Sequence, residues 1–360
     1  VSQSSGRPHV LLVSPGFAAD ENDTACLPAL QLFVHAAAMA GAADFSVVSL
    51  HHPPQRGIYT WHGLVIRCAG GANRQGAARI AAVVRALGDG IAFHHRRPVD
   101  LVHGVWLTDA ACVATRLGRL LRRPVILTAM GRDASGGTPW TRVLPLDEVT
   151  VTVPSRRAAD SLRATTGRVA DAIVPWGVEP AATPLASWAD RDVDIIGVGA
   201  LEPVKNWWLF LRVVAAVAAR QGCRRAVLVG GGSCRQQLEA QIVALGLDGV
   251  AELTGELVRD EALDWIARSR VLLHTADSEA LGLVLLEALA HGTTVVSRPV
   301  GIAEASDHCL IAADEPGLVA MTASALAAER TPTSFRPWTT EATARAYGAL
   351  YRKVMADRGP

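Results

Sequence analysis

Of the 35 basic residues in this chain only Lys205 and Lys353 are lysine, and the other 33 are arginine. Arginine offers a planar fork of donors and lysine a compact ammonium, so an internal lysine against that background marks a place suited to point-charge chemistry on an anion. Lys205 stands in Val198-Gly199-Ala200-Leu201-Glu202-Pro203-Val204-Lys205-Asn206, at the predicted start of a helix. A cation there opposes the helix dipole unless an anion is bound beside it; a solvated surface lysine is the alternative. A richer segment is Asp277-Ser278-Glu279-Ala280-Leu281-Gly282-Leu283-Val284-Leu285-Leu286-Glu287-Ala288. Gly282 permits close backbone approach, and Leu283 and Val284 offer free amides at the head of an apolar helix, which makes an anion cradle. Glu287 lies one turn farther in among apolar neighbours, so its charge needs donors such as sugar hydroxyls. Glu279 precedes the helix and can face the same place from its loop, the alternative being a rim glutamate. In Ser14-Pro15-Gly16-Phe17, Gly16 lets the backbone approach a ligand, but there is no G-x-G-x-x-G, so an ordinary dinucleotide fold is unsupported and a plain strand-to-helix turn stays open.

These segments follow short runs of Val, Ile and Leu that read as strands. In the first half the runs are His9 to Ser14, Phe45 to Leu50, Leu64 to Cys68, Leu101 to His103, Val125 to Thr128, Val149 to Val153 and Ala172 to Val174, with helical patterns such as Leu27 to Ala40 and Gly76 to Phe93 between them. The second half repeats the grammar from Val193 to Val198 through Cys309 to Ala312. Continuous apolar strands alternating with helices predict two doubly wound α/β domains, each with a parallel sheet covered on both faces. The join is expected within Pro175 to Arg191, where Pro175, Pro180 and Pro184 interrupt regular structure. Trp338, Ala342, Ala346, Leu350 and Val354 recur every fourth residue, with Tyr347 and Tyr351 beside them, and predict a final amphipathic helix.

Composition narrows the function classes. At 360 residues and a prior of about 150 per domain, two domains fit. The 32 glycines and 19 prolines are near ordinary usage, and 50% hydrophobic with 19% charged residues is too apolar for a disordered chain. No apolar run approaches the roughly 18 residues of a membrane helix. A net charge of +1 gives no field to attract nucleic acid, so no nucleic-acid partner is expected. Six scattered cysteines form neither Cys-x-x-Cys nor a zinc-finger spacing and read as small core residues. The polar Val1 to His9 followed by Val10 to Val13 lacks the pattern of a secretory signal, so a cytoplasmic chain is expected.

Glu279 and Glu287 are followed by Ala288-Leu289-Ala290-His291-Gly292-Thr293-Thr294-Val295-Val296 and Val300-Gly301-Ile302-Ala303-Glu304. This closely resembles the E-x7-E region of retaining, nucleotide-sugar-dependent glycosyltransferases of the GT-B fold, family 4. The resemblance extends over nearly the whole chain through Gly199 to Asn206, Val229-Gly230-Gly231-Gly232, Leu253-Thr254-Gly255 and Pro175-Trp176-Gly177-Val178-Glu179. It implies two Rossmann-like domains facing a central cleft: 1–180 binding the acceptor, 181–333 binding the donor, and 334–360 as a helix crossing back to the first. It further implies that Lys205 contacts the donor diphosphate, that Gly282, Leu283 and Val284 supply it with amides, that Glu287 accepts from the ribose and that Glu279 lies against the transferred sugar. Leu257 would flank the base, UDP or GDP. Gly16 would belong to a loop closing over the phosphates, and His103 would line the acceptor side.

Two positions depart from the family pattern: Ala200 stands where many members have Arg, and Met130 where many have His. A lost donor at a developing charge is worth about 2 to 4 kcal/mol. Arg132, two residues beyond Met130, can restore part of that charge, and Asp133 joins His103 as an acceptor-side group. The expected activity is metal-independent, with no cofactor beyond the nucleotide-sugar co-substrate; Asp192-Val193-Asp194 begins a strand and reads as an edge feature. A catalytically silent GT-B protein that binds a nucleotide sugar and scaffolds or regulates a partner is the alternative, motivated by Ala200 and Met130. A sugar epimerase and a two-lobed binding protein stand behind it. The acceptor, whether carbohydrate, lipid-linked or small molecule, is left open, with His51-His52-Pro53-Pro54, Tyr59-Thr60-Trp61-His62 and Gly136-Gly137-Thr138-Pro139-Trp140 as its candidate loops. Arg96, Arg97, Arg116, Arg119, Arg122 and Arg123 make a modest basic region for peripheral membrane contact, a solvated face being the alternative.

Overall fold

Runs of Val, Ile and Leu form strands buried on both faces in each half of the chain. The structure, a computed structural model, describes residues 7–131, 133, 139–181, 184–221, 223–328 and 331–357. It divides into two units, 1–177 with 340–360, and 178–339. The first contains β1 (His9–Gly16), α1 (Pro28–Met39), β2 (Asp44–His52), β3 (Gly57–Trp61), β4 (Leu64–Cys68), α2 (Ala77–Arg96), β5 (Leu101–Val105), α3 (Asp109–Leu121), β6 (Val125–Thr128), β7 (Thr150–Val153), α4 (Arg156–Thr166) and β8 (Ala172–Ile173). Its sheet runs β3-β4-β2-β1-β5-β6-β7-β8. Every pairing is parallel except β3 with β4. β3 is the segment expected as an aromatic acceptor loop. Instead it closes the sheet edge, with Trp61 buried edge-on against Phe17 at a ring separation of 5.0 Å.

The second unit contains β9 (Val193–Val198), α5 (Trp207–Gln221), β10 (Ala226–Val229), α6 (Arg235–Ala244), β11 (Ala251–Gly255), α7 (Arg259–Ala267), β12 (Ser269–His274), α8 (Leu283–Ala290), β13 (Thr294–Ser297), β14 (Cys309–Ile311) and α9 (Glu315–Ala327). Its six strands are all parallel, in the order β11-β10-β9-β12-β13-β14. The chain builds outward from β9 in one direction and from β12 in the other. The order therefore reverses between those two strands, and ligands of open α/β sheets bind at the carboxyl edge beside such a reversal.

The last helix, α10 (Thr340–Ala356), belongs to the first unit and packs on α1. Its buried face is Thr343, Ala344, Tyr347, Gly348, Tyr351 and Val354, displaced from the face expected by spacing, and Trp338 precedes the helix and is exposed. The hydroxyl groups decide the difference: Tyr347 reaches Thr128 Oγ1 at 3.0 Å and accepts from Trp176 Nε1 at 3.1 Å. The unit borders also lie a few residues from 180/181 and 333/334, because Val178 bridges to Thr339 and donates to the Trp338 carbonyl at 3.2 Å. Among the described residues no helix is long and apolar enough to cross a membrane.

Candidate functional site

Lys205 is carried by the loop after β9, and the loop after β12 holds it in place. Pro203 starts a single 3-10 turn, Thr275 Oγ1 donates to the Lys205 carbonyl at 3.0 Å, and the Asp277 amide donates to the Val204 carbonyl at 2.9 Å. Asn206 Nδ2 adds a bond to Asp277 Oδ1 at 3.1 Å, and Asp277 also pairs with Arg298. The glycine loop after β10 lies against the same turn: a Cβ on Gly230 would sit 2.0 Å from the Gly199 carbonyl oxygen, so a side chain there would push the lysine loop away. From this frame Lys205 Nζ donates to Glu279 Oε1. The two residues singled out separately in the sequence are thus an ion pair across the strand reversal, both mostly buried, with side-chain exposures of 21% and 18%.

A third group, which sequence reasoning missed, completes this cluster. His274, the last residue of β12, is buried and places Nε2 3.5 Å from Glu279 Oε1. Burial alone would raise the Glu279 pKa, but His274 and Lys205 outweigh it and bring it down to about 2, so the carboxylate is charged throughout the physiological range.

Gly282 adopts φ +78, a left-handed conformation favoured by glycine, and caps α8. The first-turn amides of Leu283 and Val284 have no intrahelical acceptor and point to the carboxyl edge of the sheet. Glu287 lies one turn on, and Arg259 at the head of α7 meets its Oε1 with both Nε, at 3.1 Å, and Nη2, at 2.9 Å. Arg259 also escaped the sequence reading, although the signal was present: like Lys205, it is a cation at a helix N-terminus, where only a nearby anion compensates the dipole. A cavity of about 270 Å³ opens beside this pair, with Leu263, Ala290 and His291 in its wall. Leu257, half-buried, packs against the core that includes Val229, Leu272 and Leu285.

In the first unit the structure corrects two assignments. His103 is fully buried, with Nδ1 2.9 Å from the Tyr351 hydroxyl and Nε2 2.7 Å from Thr128 Oγ1. Burial lowers its pKa to about 3. Both nitrogens are used internally, so it is a neutral core histidine and not an acceptor-side group. Asp133 is 2% exposed and accepts the amides of Leu107, Met130 and Gly131 at 2.8, 3.2 and 2.6 Å, so it folds its own loop and presents no carboxylate to a ligand. Arg132 and the stretch 134–138 lie outside the described residues. Gly16 ends β1, and a Cβ there would meet Cys26 Sγ and His52 Cβ at 3.2 Å.

The histidines of the candidate acceptor loops are also engaged: His51 Nε2 pairs with Asp109 at 2.9 Å and His52 Nε2 with Asp23 at 3.0 Å. Asp23, Cys26 and His52 are the one group among the described residues with the chemistry to hold a metal ion. The Asp23 carboxylate is already occupied by the amides of Ala19, Ala25 and Cys26, however, and burial with the Asp23 charge pushes the Cys26 thiol up to about 12. Of the basic region, Arg97 pairs with Asp44 and Arg119 with Glu148.

The carboxyl edge of the second sheet therefore gathers one ammonium, two carboxylates and a row of helix-head amides. Residues 192–329 match the family model described as glycosyl transferases group 1. The matched stretch contains Lys205, His274, Glu279, the head of α8, Glu287 and Arg259. D-inositol 3-phosphate glycosyltransferase of Frankia alni is 31% identical over 159 residues, which cover 40% of this chain and 39% of that protein. The chain thus spans about two-fifths of the length of that relative. Among solved structures, sucrose-phosphate synthase from Thermosynechococcus elongatus has a TM-score of 0.70 at 17% identity, covering 98% of this chain and all of that one. An Anabaena protein, HepE, solved with UDP and glucose, has a TM-score of 0.65 at 15% identity, with 98% of each chain covered. The architecture is the GT-B-like two-domain α/β fold with parallel sheets.

Proposed function

We propose that this chain is a glycosyltransferase that moves a sugar from a nucleotide-diphosphate sugar to an acceptor hydroxyl, with retention and without a metal ion. The observation that carries the reading is the pairing of Lys205 with Glu279 at the strand reversal of the second sheet, beside the amide-bearing head of α8. Breaking an anomeric C–O bond places negative charge on the leaving diphosphate, and an ammonium with oriented backbone amides stabilises that charge as it grows. Lys205 and the Leu283 and Val284 amides would meet the diphosphate. Glu279 would accept from hydroxyls of the transferred sugar and Glu287 from the ribose.

Metal independence is supported by where the aspartates at the start of β9 are used. Asp192 is held by Arg225 and Arg268 and Asp194 by Arg270, at the amino end of the strand whose carboxyl end leads to Lys205. Asp190, two residues before Asp192, is bonded to Ser187. A bound UDP in HepE favours UDP as the first donor base to try, and the inositol phosphate transferase relative favours a phosphorylated polyol among acceptors. The test is a panel of UDP- and GDP-sugars, read by thermal shift and by release of the free diphosphate. Release that requires Lys205 and Glu279 supports the proposal. Binding with no turnover on any acceptor would favour the silent, scaffolding alternative.

A further inference from the structure

His274 has no role in that reading, yet it is placed as though it had one. It is 2% exposed at the end of β12, and its Nε2, without a hydrogen-bond partner of ordinary length, faces Glu279 Oε1 at 3.5 Å. Across the ring, Nδ1 is 3.4 Å from Ser297 Oγ, and that hydroxyl gives its only proton to the Arg298 carbonyl at 2.8 Å. A lone pair on Nε2 would point at a carboxylate, so the charge of Glu279 fixes a proton on that nitrogen in either the neutral or the cationic ring.

Lys205 shares the same carboxylate oxygen. A diphosphate that recruits the ammonium takes away the main partner of Glu279, and a carboxylate only 18% exposed is costly to leave unpaired. Lys205 and His274 are the charged and titratable groups that act on it. We propose that His274 is a positioning residue that keeps Glu279 ionised and aimed while Lys205 is engaged with the diphosphate. This inference rests on reading the site as one for a nucleotide sugar. In it, the two donors to Oε1 have separate duties: the mobile ammonium leaves for the phosphate, and the imidazole, fixed at a strand end, stays.

The decisive measurement needs no nucleotide. The Glu279 carboxyl carbon is followed by NMR titration in full-length Lys205→Met, Lys205→Met/His274→Gln and Lys205→Met/His274→Leu, the glutamine offering an amide donor near the position of Nε2. In the first two variants Glu279 should titrate below the ordinary 4.5, and with leucine above it. A value at or above 4.5 in Lys205→Met alone, which retains His274 and does not depend on the leucine variant folding, overturns the proposal. A value still below 4.5 with leucine does the same.

UDP and UDP-glucose serve as functional probes. His274→Leu should weaken UDP binding several-fold, because Lys205 then leaves Glu279 with no second donor, and should lower kcat by about tenfold or more, with His274→Gln recovering most of both losses. Equal loss in both variants would mean that the imidazole only fills space, and would overturn the proposal. If the native chain binds neither UDP nor GDP, the nucleotide-sugar reading fails while the titration still decides whether His274 holds Glu279.

Discussion

Glu279→Gln should tighten the binding of a bare nucleoside diphosphate while sharply slowing sugar transfer. In the resting chain Lys205 donates to Glu279, so a diphosphate must first separate that pair and then bind beside a carboxylate. Unit charges 4 Å apart attract by about 4 kcal/mol at an effective dielectric of about 20. With both side chains near 20% exposed, solvent screening and the cost of holding the pair together discount that to about 1 to 2 kcal/mol. Glutamine keeps the shape and removes the charge, so Kd for UDP should fall about 5- to 30-fold. Transfer should fall about 10- to 100-fold or more, because a charge-assisted hydrogen bond to the sugar is worth about 1.5 to 3 kcal/mol. Isothermal titration with UDP, beside product release from a UDP-sugar, measures both in one preparation. UDP affinity unchanged or weakened in Glu279→Gln would refute the argument, because Lys205 would then not be held back by that carboxylate.

Three further outcomes follow from the same geometry. His103 keeps a folded pKa of about 3 against an ordinary 6.5, so the unfolded chain takes a proton that the folded chain refuses. Stability contributed by this group is therefore lost as pH falls below 6.5 and levels off below about 3. Between pH 7 and 5 the loss is about 2 kcal/mol, visible in urea midpoints and absent in His103→Gln; a pH-independent difference between the two proteins would contradict it. Asp133→Asn turns one of its two acceptor oxygens into a donor facing a backbone amide, which should cost about 2 kcal/mol and lower Tm; an unchanged Tm would show that the loop is not held by the carboxylate. Arg259→Met leaves the mostly buried Glu287 without its guanidinium and should cost about 1 to 2 kcal/mol, discounted for solvent. Adding Glu287→Gln should return most of that stability in thermal melts, and simple additivity of the two changes would argue against the pair.

Every strand but β3 was legible because buried parallel strands are continuous apolar runs, which the exposed antiparallel edge strand β3 is not, and Lys205 was legible because its type is rare in this chain. The register of α10 was not: spacing by fours marks an apolar stripe, whereas the helix turned its tyrosines inward because Thr128, Thr152 and Trp176 offered partners to the Tyr347 hydroxyl. His103 was misassigned for a related reason. A histidine at the end of an apolar strand reads alike whether it faces a ligand or a tyrosine 248 positions away. His274 was missed because facing a carboxylate is a property of adjacent loops that no local pattern announces, whereas Arg259 carried a local signal, a cation at a helix N-terminus, whose partner only the fold reveals.

The two glutamates of the second unit are both held in the resting chain by cations, Glu279 by Lys205 and Glu287 by Arg259. A mostly buried charge cannot wait unpaired at modest cost, so any ligand must replace the partner it displaces with charge or donors of its own. A diphosphate can do this for Lys205. A neutral sugar cannot, since its hydroxyls would compete with an ammonium for the same oxygen. Ribose hydroxyls can share Glu287, because Arg259 Nε and Nη2 both meet Oε1, and a carboxylate has a second oxygen to accept with. The order of events then follows from charge alone: the nucleotide diphosphate part of a donor engages first and frees Glu279. Only afterwards does Glu279, held by His274, have an oxygen to offer the sugar. A free sugar presented without nucleotide should therefore show no binding at this edge of the sheet, and saturable binding of glucose alone, measured by titration, would contradict that sequence.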